Sequence, residues 1–371
     1  EAVLGTYLVG RQQAYSQAAA LDQSARVAWI EEWIESVYRP GPAGRPQFDD
    51  ELTELLVGDY KLVGATCVGL GSRRYGMDRL VFDVCIVDEG GRATVPELLI
   101  PLMRSRKAII IGDHFQLPPS VASQLRETDA KESLPFLEDT FLKTSFFEQL
   151  FENLPPACRG RLQEQFRMVE PIGDLVAELF YTDEGVRGLF NGRLHDRSRF
   201  LDPQHPLRWL DVQSGQQEKE NGVGPSLVNV AEAEAIRHYL TVAADALAAR
   251  QARQAESFRK KTVAIITPYG AQKRLIGRLL KRAAAENSGI SDMLEIEVDT
   301  VDGFQGSEAD IVLYSTVRTY GDISFLLDRQ RLNVACSRAR ENLVFFGAVR
   351  FLREREADRK STRLNSSHSD R

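Results

Sequence analysis

The chain has 371 residues, of which 43% are hydrophobic and 27% are charged, and its net charge at pH 7 is −6. This length suffices for two domains and the composition is that of a soluble globular protein, while the acidic balance excludes a generally basic nucleic-acid binder but not a local basic groove. Since no apolar run approaches the roughly 18–20 residues of a membrane span and no secretory signal is visible, we expect an intracellular protein, cytoplasmic or nuclear, without a membrane partner.

The first residues are predicted to be mainly helical. Glu1–Tyr38 has an apolar stripe at helical spacing, and Asp49–Gly58 reads as a second, shorter helix. Between them, Arg39–Phe48 contains three prolines and two glycines, which predicts a loop. We interpret residues 1–58 as a helical segment that leads into a first domain or is inserted in it.

A strand–helix–strand unit follows. After a strand predicted over Tyr60–Gly69, the apolar runs Val84–Val87 and Ala108–Ile111 flank Pro96–Met103, which has helix-compatible apolar spacing. This pattern predicts a βαβ crossover in a buried parallel sheet, where ligands bind at the carboxyl ends of the strands.

Acidic turns end both of those strands. Asp88 and Glu89 follow the first strand, and Gly112-Asp113-His114-Phe115-Gln116-Leu117-Pro118-Pro119 follows the second. Two adjacent carboxylates at a strand end suit nucleotide hydrolysis, because one can hold Mg²⁺ through water and the other can deprotonate the attacking water. An isolated Asp-Glu pair would more often be a solvated turn, and the second turn makes that interpretation less favoured.

The second half repeats an alternation of helices and strands. After an amphipathic helix over Thr144–Asn153, Leu154-Pro155-Pro156 breaks the helix and sets our predicted domain boundary. The helices predicted beyond it are Pro171–Tyr181, Leu227–Ala249 and Gln272–Arg282. The strands predicted beyond it are Leu207–Val212, Thr262–Thr267, Ile296–Val298, Ile311–Ser315 and Leu343–Phe346.

Five segments occur in an order that resembles motifs II to VI of superfamily 1 helicases. The branch is the 5′→3′ one that includes the RNA-surveillance helicase and its DNA-processing relatives. The segments are Asp88–Arg92, Gly112–Pro119, Gln165–Met168, Asp299–Glu308 and Arg331–Arg340. Single short motifs match by accident, but five in family order are far more specific.

The resemblance implies an α/β fold with two RecA-like P-loop NTPase domains and ATP bound between them. It implies that Asp88 holds Mg²⁺ through water, Glu89 is the general base and Gln116 senses the γ-phosphate. Arg167 and Arg338 would be arginine fingers. Further nucleotide contacts, or links from the nucleotide to the strand, are implied for Gln165, Gln305 and Glu308.

Single-stranded nucleic acid, either DNA or RNA, is the partner that the resemblance implies. The expected contacts with its backbone are Thr66, Thr267, Pro268 and Thr300. Contacts of this kind predict little base specificity and a strong dependence on salt.

The sequence departs from the family pattern in two places. No G-x-x-x-x-G-K-[S/T] loop occurs, and in motif II Gly90 and Arg92 stand where the family usually has Ala and Gln. We expect a helicase truncated before its phosphate-binding loop, with an incomplete first domain and no ATP hydrolysis by the chain alone. The alternatives are a non-catalytic nucleic-acid-binding module on a decayed helicase scaffold and a P-loop motor that does not act on nucleic acid.

The predicted organisation is therefore residues 1–58, a partial first domain over 59–153, a second domain over 154–357 and a tail over 358–371. The tail reads DRKSTRLNSSHSDR, is polar and Ser-rich and has no apolar period. We interpret it as the translation of a sequencing adapter and assign it no function.

Overall fold

The computed structural model describes residues 38–40, 46–48, 60–72, 80–119, 145–183, 185–197, 200–213, 216–219, 226–253, 259–286, 289–304 and 307–355. The chain divides into two compact units. Unit 1 comprises Glu1–Gly112 and Pro119–Gln149, and unit 2 comprises Asp113–Pro118 and Leu150–Arg371. The predicted helices over Glu1–Tyr38 and Asp49–Gly58, and the tail, lie outside the described residues except for Tyr38.

Unit 1 contains the predicted crossover. Its strands are β1 (Tyr38–Pro40), β2 (Pro46–Phe48), β3 (Phe82–Val87) and β4 (Ser105–Ile110), and its helices are α1 (Cys67–Leu70), α2 (Val95–Met103) and the first part of α3 (Phe146–Asn153). β3 and β4 pair in parallel and α2 connects them. Thr94 and Glu97 form a capping box that begins α2.

Two sequence predictions in unit 1 are wrong. Arg39–Phe48 is not wholly a loop, because β1 and β2 form an antiparallel pair within it. Tyr60–Gly69 is not a strand. Thr66 accepts a hydrogen bond from the amide of Gly69 at 3.0 Å and thereby begins α1, and Leu62 is 88% exposed, so this stretch lacks the burial of a sheet strand.

The β3–β4 pair is also less buried than expected. Val87 packs with Leu98 and Phe147 on one face. On these strands Val84 is 48% exposed and Ile86 is 64% exposed. A parallel sheet is normally covered on both faces. Among the described residues, only one face of the β3–β4 pair is covered.

Unit 2 is built on a five-stranded parallel sheet. Its strands are β9 (Leu207–Asp211), β12 (Lys261–Thr267), β13 (Leu294–Thr300), β14 (Ala309–Ser315) and β15 (Ala339–Gly347). They lie in the order β13-β12-β14-β15-β9. Its shorter strands are β5 (Glu164–Gln165), β6 (Thr182–Asp183), β7 (Val186–Arg187), β8 (Phe190–Asn191), β10 (Gln217–Lys219) and β11 (Leu227–Asn229). Its helices are α4 (Glu170–Phe180), α5 (Val230–Gln251), α6 (Gly270–Glu286), α7 (Gly289–Met293) and α8 (Arg329–Ser337).

Helices cover both faces of this sheet. Alternate residues of the central strands enter two cores: Ile266 and Val312 pack with α4 and α8, whereas Ile265 and Leu313 pack with α5, α6 and α7. The α/β fold class and all five predicted sheet strands are thus confirmed. The predicted helix over Leu227–Ala249 is wrong only at its start, because Leu227–Asn229 forms β11 and the Asn229 side chain caps α5.

The sheet order creates a topological switch point. β13, the next sheet strand after β12, pairs on one side of β12, and β14 pairs on the other side. In open parallel sheets, ligands bind where the chain reverses in this way, beyond the carboxyl ends of the strands. None of the helices in the described part of the chain is long and apolar enough to cross a membrane.

Candidate active site

Asp88 and Glu89 form the acidic turn at the carboxyl end of β3. Both side chains are exposed, and the Asp88 Oδ1 accepts a hydrogen bond from the Glu89 amide at 2.9 Å. Glu89 has a φ of 55°, a left-handed conformation that is uncommon for a non-glycine residue and that occurs preferentially at functional sites. An exposed carboxylate here fits a hydrated Mg²⁺, which prefers one or two carboxylates together with phosphate oxygens.

Two glycines bring this turn against the end of β4. The Gly90 amide donates to the Ile111 carbonyl at 2.8 Å. A Cβ at position 90 would lie 2.4 Å from Cγ2 of Ile110, and one at position 112 would lie 2.6 Å from the Gly91 nitrogen. The alanine that the family usually has at position 90 would therefore require this pair of strand ends to shift.

Asp113 organises the turn that follows β4. Its Oδ1 accepts from the Phe115 amide at 3.0 Å, and its Oδ2 accepts from Nε2 of Gln116 at 2.9 Å. The turn belongs to unit 2, where Leu117 joins the core that α4 and α8 line. The side chain proposed to sense a γ-phosphate is thus oriented by a neighbouring carboxylate.

Two arginines of unit 2 share one carboxylate. Arg167 Nε donates to Glu308 Oε2 at 2.8 Å, and Arg340 Nη1 lies 3.2 Å from Glu308 Oε1. Arg167 also donates from Nη1 to the Ser337 carbonyl at 3.1 Å. All three charged side chains are about 40% exposed, so this cluster is a surface on which an anion could replace or join Glu308.

Arg338 lies beside this cluster but is buried. It is the C-cap residue of α8, is 4% exposed, and donates from Nη1 to the Ser307 carbonyl at 3.1 Å. The resemblance implies that Arg338 is an arginine finger. The partly exposed guanidinium groups next to it belong to Arg167 and Arg340, and Arg340 entered the sequence analysis only as the last residue of the motif VI segment.

Gln165 holds the turn that carries Arg167. Its Oε1 accepts from the amides of Arg167 and Met168 at 3.0 and 2.7 Å. Its Nε2 donates to the Met168 carbonyl at 2.9 Å and to Asn191 Oδ1 at 2.7 Å. These four bonds occupy the amide within unit 2, and its contact with a nucleotide stays a prediction.

The expected nucleic-acid contacts are divided between the units. Thr267 and Thr300 are paired residues at the carboxyl ends of β12 and β13, and Pro268 follows directly. Thr267 is fully buried, and within the described residues its hydroxyl has no hydrogen-bond partner. Thr66 lies in unit 1 as the exposed cap of α1, and Gln305 lies outside the described residues.

Asp299 precedes Thr300 and is held as an anion. Partial burial raises the pKa of Asp299. The hydrogen bonds from Lys273 Nζ and from the Thr300 amide outweigh burial and keep this pKa below its usual value. A Cβ at Gly303 would lie 2.4 Å from this carboxylate, so glycine is required for the turn to close over it. The segment from Asp299 to Gly303 is therefore a fixed edge rather than a loose loop.

A buried carboxylate that the sequence reading missed lies under the switch point. Glu232, in the first turn of α5, is fully buried and accepts from Ser315 Oγ at 2.7 Å and from the Val317 amide at 2.9 Å. Val317 has a φ of 66°, which is strained for a β-branched residue. Burial raises the pKa of Glu232 to about 7, against the hydrogen bonds from Ser315 and Val317 that lower it.

Models of the AAA domain match two parts of the chain, residues 142–350 and residues 44–124. The chain is 30% identical over 319 residues to the uncharacterised ATP-dependent helicase MJ0104 of Methanocaldococcus jannaschii. The match covers 82% of this chain and 42% of that protein. It is 30% identical over 304 residues to a regulator of nonsense transcripts 1 homolog of Drosophila melanogaster (80% and 23% covered). It is 30% identical over 311 residues to the DNA replication ATP-dependent helicase/nuclease dna2 of Schizosaccharomyces pombe (76% and 20% covered).

The chain spans less than half the length of these relatives. Among solved structures, it is similar to a PRRSV helicase with a TM-score of 0.35 and 16% identity, covering 72% of this chain and 36% of that one.

Proposed function

Since this chain belongs to the superfamily 1 helicases, we propose that it supplies strand-moving machinery of an ATP-dependent helicase or translocase that acts on single-stranded DNA or RNA. The observation that carries the proposal is the cluster of Arg167, Arg340 and Glu308 on unit 2. Two guanidinium groups directed at one exposed carboxylate form a site that suits a polyphosphate, since arginine binds phosphate oxygens with a fork of donors.

The residues divide the work of phosphoryl transfer. Asp88 fits the role of holding Mg²⁺ through water, and when bound the ion neutralises phosphate charge. Glu89 orients and deprotonates the attacking water, and Gln116 contacts the γ-phosphate. Arg167 stabilises charge that develops on the transferred phosphoryl group, a role worth about 10³–10⁵ in rate in related chemistry. Arg338 is 4% exposed, so it joins Arg167 in this role only when its side chain turns outward.

Nucleotide contacts from Gln165, Gln305 and Glu308 complete the proposed set. Glu308 has a second role in this proposal, because it holds Arg167 and Arg340 in place before phosphate arrives. Exchange of a carboxylate for phosphate oxygens lets each guanidinium keep an anionic partner throughout the cycle.

The strand lies along the carboxyl edge of β12 and β13 in this proposal. Pro268 and Thr300 contact its backbone there, and Thr66 contacts it from unit 1. Thr267 is buried and supports the carboxyl edge of β12 and β13 from inside. It contacts the strand only when its side chain turns outward. Backbone contacts of this kind predict similar affinity for different sequences, and 5′→3′ movement is the polarity that we assign.

The chain alone is proposed not to hydrolyse ATP. Its 371 residues contain no G-x-x-x-x-G-K-[S/T] sequence, whose backbone amides and lysine would hold the phosphates. The same observation favours a second candidate function, a module that binds single strands without using ATP.

One comparison tests the proposal. We define the extended gene product as the protein encoded by the whole reading frame that contains these 371 residues. We expect it to hydrolyse ATP faster when single strands are added, and we expect the Glu89→Gln variant and the 371-residue chain to be inactive. Strand binding without ATP hydrolysis by the extended gene product would contradict the proposal and favour the binding module.

A further inference from the structure

A chain of hydrogen bonds connects the turn after β4 to helix α8. Asn333 Nδ2 donates to the Tyr181 hydroxyl oxygen at 2.9 Å, and the Tyr181 hydroxyl donates in turn to Asp113 Oδ2. The same Asp113 oxygen accepts from Gln116 Nε2 at 2.9 Å. Tyr181 and Gln116 therefore share one oxygen of the Asp113 carboxylate.

The backbone of the turn is held by the same helix. Asn333 Nδ2 also donates to the Phe115 carbonyl at 3.0 Å, and Gln330 Nε2 donates to the His114 carbonyl at 3.0 Å. Asn333 is fully buried. Its side chain and that of Gln330 therefore tie the backbone of the turn to α8.

Tyr181 occupies the junction of three functional segments. It follows α4, whose N-terminal end is preceded by Arg167, and it contacts α8, which ends at Arg338. Its ring lies edge-on to Phe115, with centroids 5.5 Å apart. Burial, together with the negative charge of Asp113, raises the pKa of Tyr181, so the phenol stays protonated and remains a donor.

We propose that Tyr181 is a positioning residue that couples Gln116 to the arginine-bearing end of α8. This inference rests on the proposed function. A γ-phosphate that draws Gln116 away from Asp113 Oδ2 changes the acceptor available to the Tyr181 hydroxyl. Tyr181 passes that change to Asn333 and so to α8, which links the state of the nucleotide to the position of Arg338.

The Tyr181→Phe variant isolates the hydroxyl, because it keeps the ring that packs on Phe115. Tyr320→Phe is the matched control, since Tyr320 is 59% exposed in the same unit. The assay measures ATP hydrolysis by the extended gene product with and without single strands. We expect Tyr181→Phe to lower strand-stimulated kcat about tenfold, with the KM for ATP and the strand affinity nearly unchanged. Because the variant also removes a hydrogen bond to a carboxylate from the folded chain, we expect Tm to fall by a few degrees.

A second variant tests the route. If Tyr181 acts through Gln116, the double variant Tyr181→Phe/Gln116→Ala should be about as slow as the slower single variant, because the two residues act in series. Additive losses would overturn the inference. So would a loss of strand affinity and a rise of the KM for ATP by the same factor as the loss of kcat, which would indicate a merely structural role.

The outcomes separate this inference from the proposed function. A wild-type extended gene product without strand-stimulated hydrolysis would defeat both. Strand-stimulated hydrolysis that Tyr181→Phe leaves at the wild-type rate would leave the proposed function standing and overturn the role of Tyr181.

Discussion

Replacing Glu232 with Gln should remove a pH dependence from the stability of unit 2. Glu232 is fully buried under the ends of β12 and β14, and it accepts hydrogen bonds from Ser315, Val317 and the Asn229 side chain. Glutamine has nearly the same shape but does not ionise. The glutamine amide cannot accept all of these hydrogen bonds, and this loss is the same at every pH. The charge of Glu232 is therefore reported only by the way in which the difference in the free energy of unfolding between the two proteins changes with pH.

The magnitude follows from the pKa. The ordinary value of 4.5 is raised to about 7 in the folded chain because burial disfavours the anion. The folded state therefore binds the proton more tightly than the unfolded state does. This contribution is fully present below pH 4.5 and is lost as the pH rises through about 7. Each pKa unit corresponds to about 1.4 kcal/mol, so wild type should lose about 2.5 kcal/mol relative to Glu232→Gln between pH 5 and pH 8.

Trp209 gives a signal specific to unit 2. Its ring stacks on Phe345 with centroids 5.1 Å apart, at the β9 edge of the sheet. With Trp29 and Trp33 replaced by Phe, urea unfolding followed by Trp209 fluorescence reports the free energy of unfolding of this unit. Other titrating groups are common to both proteins, so their contributions cancel in the difference.

Glu234→Gln is the control, since Glu234 lies on the same helix, half exposed and paired with Arg237. It should change the free energy of unfolding by less than about 1 kcal/mol. If the difference in the free energy of unfolding between wild type and Glu232→Gln stays constant from pH 5 to pH 8, the pKa of Glu232 is the same in the folded and unfolded states and the prediction is wrong.

Three further predictions follow from the site. Gly90→Ala should destabilise unit 1 by about 1–3 kcal/mol, because the new Cβ would lie 2.4 Å from Ile110. Gly64→Ala is the control and should be neutral, because a Cβ there would have no atom within 4 Å. Thermal unfolding measures both variants. Arg167→Ala should lower the kcat of the extended gene product about 10³-fold and change strand affinity little, as steady-state kinetics and fluorescence anisotropy will show. Anisotropy titrations of oligo-dT and oligo-U from 50 to 300 mM salt should give parallel lines of log affinity against log salt, with a slope near −0.7 for each phosphate neutralised.

The sequence predicted those parts of the fold that depend on local pattern. Apolar runs ending in turn residues were enough to place β12, β14 and β15, because buried parallel strands are nearly continuous in hydrophobic residues. The stretch around Leu62 looks similar, yet Gly64 and the capping side chain of Thr66 break it into a turn and a short helix. Local pattern does not reveal whether a neighbouring strand is there to pair with.

The site was predicted in part for the same reason. Adjacent residues such as Asp88 and Glu89 carry their chemistry in the sequence itself. The contacts of Tyr181 with Asp113 and of Glu232 with Val317 join residues 68 and 85 positions apart, and no spacing rule indicates them. Burial is equally hidden: the motif that contains Arg338 and Arg340 gives no sign that Arg338 is buried and that the side chain of Arg340 is about 40% exposed.

Directed movement along a single strand is the central claim, and a streptavidin-displacement assay measures it most directly. The extended gene product is mixed with ATP and an oligonucleotide that carries biotin at one end. We expect streptavidin to be displaced from the 3′ end and not from the 5′ end, and we expect Glu89→Gln to abolish the displacement. ATP hydrolysis without displacement from either end would contradict directed movement along the strand.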